Sequence, residues 1–256
     1  QLPPRPPAIP PAPKNADLLP FAGVRILEVT ANWAGPFAGR QLADLGADVI
    51  KIETGRRPAT RALAWADNQF WTHPYNRAAY FNLFNRNKRD LVLDLSKRRG
   101  REIFLKMVED ADIVLENNSA RVFQSFGLTY ETLSQVNPRI IMCSISGFGA
   151  TGPERDYVAY GSNIEASSGL VSQLGYGEGV PFGTGSYYAD PIAGTHGALA
   201  MTAALIERER TGKGTCIDMA LQESGMAFNL EALMDFQLNG RVAGPMNNRS
   251  TRIAPQ

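Results

Sequence analysis

Short β-branched runs alternate with stretches of helical spacing along most of this chain, which predicts strand and helix in turn. Residues 24–30 form the first such run, residues 36–45 space their apolar side chains as a helix does, and residues 47–53 form the second run. The chain therefore opens with a βαβ unit. Further strands are predicted at 91–95, 112–118, 139–146 and 215–220. Helices are predicted at 97–109, where Ile103, Phe104, Met107 and Val108 make an apolar face, and at 129–136, 160–171, 192–210 and 222–238. This alternation specifies a doubly wound, Rossmann-like α/β fold on a parallel sheet, with ligands held beyond the carboxyl ends of the strands. Asn32, Asn117, Asn118 and Gly147 each fall just after a predicted strand, so they are expected to crowd one edge.

Other segments break the pattern. Residues 2–13 are dense in proline, favour extended polyproline geometry and make residues 1–19 an arm or linker. Residues 55–87 have little periodicity and carry Trp65, Phe70, Trp71, Tyr75, Tyr80, Phe81 and Phe84. Long excursions of this kind in a compact domain are usually functional or mobile.

Composition narrows the partners. With 44% hydrophobic and 20% charged residues over 256 positions, the chain can bury a sizeable core. A net charge of +1 gives no electrostatic footprint for nucleic acid or a membrane surface, so small ligands are expected. No apolar run reaches the ~18 residues that span a bilayer, and the expected location is cytoplasmic. Cys143 and Cys216 both sit in predicted strands, where a small buried thiol is ordinary. His73 is expected in a loop and His196 packed within a helix; without clustered ligands no metal site is expected.

Asp190 is the main candidate for chemistry. It precedes Pro191 at the start of a long Ala-rich helix. Asp as N-cap and Pro at the first helical position make an ordinary helix start. The same placement lets the helix dipole keep the carboxylate ionised, which suits a covalent nucleophile. The residues alone leave both readings open. The turn at residues 32–39 holds glycines ahead of a helix, but its spacing is not G-x-G-x-x-G, so Glu53 is not expected to hold a nucleotide ribose. Lys88 and Arg89, just before a predicted strand, are either a solvated basic turn or a site for phosphate oxygens.

Taken in order, Phe21-Ala-Gly-Val-Arg-Ile-Leu-Glu-Val-Thr30, Ala34-Gly-Pro-Phe-Ala38, Leu42-Ala-Asp-Leu-Gly-Ala-Asp-Val-Ile-Lys-Ile-Glu53, Asn85-Arg-Asn-Lys-Arg-Asp-Leu-Val-Leu-Asp-Leu95, Ala111-Asp-Ile-Val-Leu-Glu-Asn117, Ser146-Gly-Phe-Gly149 and Ala189-Asp-Pro-Ile-Ala-Gly194 resemble the family III CoA-transferases. That family includes formyl-CoA:oxalate and carnitine CoA-transferases and α-methylacyl-CoA racemase. The resemblance implies that Asp190 attacks an acyl-CoA and passes through an aspartyl-CoA thioester before a carboxylic acid takes the CoA. It implies oxyanion donors at the Asn32-Trp33 turn, and CoA contacts from Lys88, Arg89, Asn117, Gly147 and Arg56 or Arg57. It also implies an interlocked homodimer, with CoA thioester as substrate and no tightly bound cofactor. The large domain is then expected over residues 20–225, with residues 226–256 a helix and linker toward a small second domain missing from the sequence.

The sequence departs from the family in places. Thr54-Gly55 replaces a frequent arginine, and Asn118-Ser-Ala-Arg121 replaces the usual aromatic and Arg-Pro-Gly run. Residues 157–163 lack the histidine of racemase members, which counts against a racemase. The alternative to a transferase is a non-catalytic, CoA-binding or dimer-completing half of a tandem protein.

Overall fold

The computed structural model describes residues 19–54, 59–69, 72–176 and 179–245. Strands β1 (Arg25–Val29), β2 (Asp48–Glu53), β3 (Lys88–Val92), β4 (Ile113–Glu116), β5 (Ile141–Ser146) and β6 (Cys216–Ala220) form one sheet. Every pairing is parallel, and the spatial order is β3-β2-β1-β4-β5-β6. Chain direction across the sheet reverses between β1 and β4, the switch point where such folds bind ligands.

Among the described residues the α-helices are α1 (Ala34–Asp44), α2 (Ala79–Asn85), α3 (Arg98–Val108), α4 (Arg121–Ser125), α5 (Tyr130–Val136), α6 (Gly161–Ser167), α7 (Ala189–Thr211), α8 (Leu221–Phe228) and α9 (Leu230–Asn239). Neighbouring side chains of β1 point to opposite faces. Ile26 joins the core made with Ala38 and Leu42 of α1 and Met201 of α7. Leu27 joins the core made with Phe104 and Val108 of α3 and Leu133 of α5. Burial on both faces is why the central strands read as nearly continuous apolar runs. No helix among the described residues is long and apolar enough to cross a membrane.

The predicted strands are all present, but β3 starts at Lys88 rather than Leu91. Lys88 pairs with Val49 in the ladder, and its ammonium reaches the fully buried Glu28 at 2.9 Å. A long-range ion pair thus overrides the local apolar pattern. Cys143 is buried, as expected, whereas Cys216 is exposed because β6 is an edge strand. The helix expected at 222–238 is divided at Asn229, whose amide accepts from Gln173 at 2.7 Å and donates to the Ser168 carbonyl at 3.1 Å. The long helix α7 stops where Gly212 turns left-handed, with φ 72°.

Helices α1 and α7 pack closely enough that a Cβ on Gly194 would lie 2.7 Å from the Ala34 carbonyl oxygen. Glycine at this position lets the amino ends of the two helices meet beside the switch point.

Candidate active site

A cleft of ≈ 370 Å³ opens at the switch point. Asn32 and Trp33 reach it from the loop after β1, Asn117 from the end of β4 and Gly147 from the end of β5. Tyr80, Tyr160, Gly161 and Tyr187 complete much of its wall. Asp190 is the one carboxylate among the described lining residues.

Asp190 is not the N-cap of its own helix. Tyr188 occupies that place and Ala189 begins α7, so Asp190 sits in the first turn. Its Oδ1 instead accepts the backbone N–H of Ala34, at the start of α1, at 3.3 Å. Gly161 makes room for it, since a Cβ there would overlap the Asp190 carboxylate. The expectation that the dipole of α7 keeps this group fully ionised is corrected as well. Burial pushes Asp190 up to about 6; the Ala34 N–H opposes that rise and the charge of Glu165 adds to it. Desolvation outweighs the helix end. Tyr80 is pushed up to about 12, by burial first and by the charge of Asp190 second.

The aromatic wall comes from the long excursion. Trp33 lies at 5.1 Å from Phe84 and 6.2 Å from Tyr80, centroid to centroid. Its indole nitrogen is buried without a hydrogen-bond partner among the described residues. The excursion is fastened by Arg61, which donates to Glu53 at 3.0 Å and to Asp90 at 2.9 Å and lies 3.5 Å over the ring of Phe81. Glu53, the position that holds a ribose in dinucleotide-binding folds, is thereby engaged by the protein itself.

The other expected site residues are placed unevenly. Asn32, Trp33, Asn117 and Gly147 converge with Asp190 on the cleft. Asn32 is left-handed, with φ 61°, a conformation asparagine tolerates better than most residues. Asn117 clasps Ala31, accepting its N–H and donating to its carbonyl, both at 2.8 Å. Asn118 donates to the Val29 carbonyl at 3.2 Å. Together they hold β4 to the end of β1.

Lys88 and Arg89 both lie in β3 rather than in a turn, the first with a buried side chain and the second exposed to solvent. The Lys88 side chain is buried, donating to Glu28, to the Pro36 carbonyl at 2.9 Å and to Asn85 at 3.1 Å. Arg89 pairs with Asp48, the first residue of β2, which puts it near the amino-terminal edge of the sheet, away from the cleft. Arg56 and Arg57 lie outside the described residues.

Sequence reasoning missed the buried cluster under the loop after β1. Glu28 accepts from Lys88, from Lys51 at 3.2 Å and from the Thr30 hydroxyl at 2.6 Å, while Lys51 also donates to the Thr30 carbonyl at 2.9 Å. Burial opposes ionisation of Glu28, but the two ammonium groups outweigh it and hold the carboxyl below its usual range. Burial pulls Lys88 down to about 8 against the pull of Glu28. Glu165 was also missed. The signal for it was an acid beside Ile164 on the buried face of a predicted helix.

A doubly wound α/β domain with one helix-start carboxylate in its switch-point cleft is the class this geometry defines. The chain belongs to CoA-transferase family III, whose family model matches residues 21–256. The succinate–glutarate CoA-transferase of Agrobacterium fabrum is 36% identical over 92% of this chain and 59% of its own length. The acetyl-CoA:oxalate CoA-transferase of Acetobacter aceti is 37% identical over 92% of this chain and 59% of its own length. Among solved structures, a CAIB/BAIF family protein from Brucella suis superimposes with a TM-score of 0.84 at 35% identity, covering 93% of this chain and 62% of that one. The chain therefore spans about three fifths of the length of these two relatives.

Proposed function

We propose that the protein moves coenzyme A from an acyl-CoA to a carboxylic acid, with Asp190 as the nucleophile. The observation that carries this reading is the Asp190 carboxylate in the cleft, buried enough to shed water yet ionised near neutral pH. Its Oδ attacks the thioester carbonyl, the C–S bond breaks, and CoA leaves as thiolate, which gives a mixed anhydride between the acyl group and Asp190. The thiolate attacks the aspartyl carbonyl, releasing the donor's acid and leaving an aspartyl-CoA thioester. The acceptor carboxylate then displaces CoA thiolate to form a second anhydride. Return of the thiolate to the acceptor's carbonyl frees Asp190. Backbone N–H groups of the Asn32-Trp33 turn stabilise the oxyanions.

The relatives' names, which include succinate, glutarate and oxalate, make dicarboxylic acids the first acceptors to test. The described cleft lining includes no histidine, so a racemase lacks a positioned base. Incubating the full-length protein with acyl-CoA is expected to give a mass adduct on Asp190 that hydroxylamine removes. Absence of any adduct across succinyl-, acetyl- and formyl-CoA defeats the covalent reading.

We further infer that the complete protein is an interlocked homodimer. In support, α9 contributes no buried residue and exposes Leu230, Met234, Phe236 and Leu238, an apolar surface that association would cover. Light scattering of the full-length protein at micromolar concentration is expected to give twice the chain mass; a stable monomer contradicts it.

A further inference from the structure

We propose that Glu165 is a positioning residue for Asp190: its carboxylate, carried on α6, caps the amino end of α7 and fixes the loop that aims Asp190 into the cleft. The importance of that aim rests on the reading of Asp190 as nucleophile.

Glu165 is 2% exposed, an unusual place for an acid. One oxygen, Oε1, accepts the backbone N–H of Tyr188 at 2.5 Å and the hydroxyl of Thr184 at 2.6 Å. Tyr188 is the N-cap residue of α7, just before its first residue Ala189, and its own side chain makes no capping bond. A carboxylate at a helix amino terminus satisfies an orphan donor and meets the positive end of the dipole. Two carboxylates are thus crossed between helices: Glu165 of α6 serves α7, and Asp190 of α7 reaches α1. Asp190 is left free of the capping task on its own helix.

The loop held by Glu165 is strained. Tyr187 has φ 50°, a left-handed conformation that a bulky residue adopts only when its surroundings enforce it. The Ser186 N–H donates to the Thr184 hydroxyl oxygen at 3.1 Å, so the hydroxyl that Glu165 holds also sets the turn before Tyr187. At the other end of α6, Gly161 fits against both the Asp190 carboxylate and the Tyr187 Cβ. One short helix therefore grips the loop at two points.

The groups facing Asp190 are Tyr80 from α2, Tyr160 just before α6, Tyr187 before α7, the Ala34 N–H of α1 and the charge of Glu165. Glu165 is the one carboxylate among them. Its removal therefore has an electrostatic effect on Asp190 that a purely structural residue lacks.

The test uses the full-length protein with Glu165→Gln and Glu165→Ala. Asp190 protonation is read without turnover, from the pH dependence of carbodiimide labelling followed by peptide mass spectrometry. Loop order is read from amide hydrogen exchange over residues 186–192. Glutamine keeps an acceptor oxygen and loses the charge, so exchange stays slow while the labelling midpoint moves down, burial still holding it above the ordinary aspartate range. Alanine speeds exchange over this segment and lowers kcat by about 10²-fold, with KM for the CoA thioester little changed, as misplacement of a reacting group does. A labelling midpoint unmoved in Glu165→Gln, or exchange in Glu165→Ala equal to wild type, overturns the proposal. An inactive wild type instead defeats the nucleophile reading, and the labelling and exchange results still decide the placement of Glu165.

Discussion

Asp190→Asn is expected to abolish CoA transfer while the protein folds and still binds CoA. Asparagine keeps a side-chain oxygen that can accept the Ala34 N–H, a bond Asp190 makes at 3.3 Å, but it cannot form an acyl anhydride. The substitution should also stabilise the fold near neutral pH. Because burial lifts Asp190 from 3.8 to about 6, the folded chain holds this proton more tightly than the unfolded chain. Stability from this group therefore falls as pH rises across that window, and the full cost is present at pH 7. Asparagine removes it, a gain on the order of 3 kcal/mol. Denaturant titration at pH 7 and pH 4 checks the sign, since the difference between variant and wild type should shrink at the lower pH. The same shift predicts wild-type turnover that rises with pH through about 6, as the carboxylate must be ionised to attack. Substantial transfer by the asparagine variant, once deamidation is excluded, rejects Asp190 as nucleophile.

The second large effect is expected at Glu28, remote from any bond that changes. Its carboxylate is fully buried between the ammonium groups of Lys51 and Lys88, whose side chains are also buried. Glu28→Gln leaves two buried cations without their counter-ion, and breaking such a cluster costs about 3–5 kcal/mol. Replacing the three residues together by apolar ones of similar size should recover most of that loss, because no uncompensated charge remains. Urea denaturation of the single and triple variants makes the comparison. A single variant within about 0.5 kcal/mol of wild type, the range of an ordinary surface change, shows that the cluster does not hold the loop. Activity should drop with the single variant too, since Lys51 and Lys88 grip Thr30 and Pro36, on either side of Asn32 and Trp33.

Much of the fold was legible because strands and helices are written locally. The apolar runs at 24–30, 47–53, 112–118 and 139–146 needed only their own spacing to be placed. Residues 91–95 misled for the opposite reason: β3 begins where Lys88 finds Glu28, 60 positions away in sequence. The helix expected at 222–238 misled similarly, since the break at Asn229 answers to Ser168 and Gln173 of other elements.

The sequence by itself determined the alternating α/β plan and the switch-point neighbourhood of Asn32, Asn117 and Gly147, because each follows from residue type and near neighbours; it put Asp190 near a helix start but left cap and nucleophile both open. Only the tertiary structure decided what surrounds Asp190. Its hydrogen-bond partner lies 156 positions earlier, on another helix, and the carboxylate that caps its helix lies 23 positions before Tyr188, on a third. Its protonation is set by burial among all of these. Desolvation and through-space charge depend on which distant segments meet, and no local pattern of residues encodes that meeting.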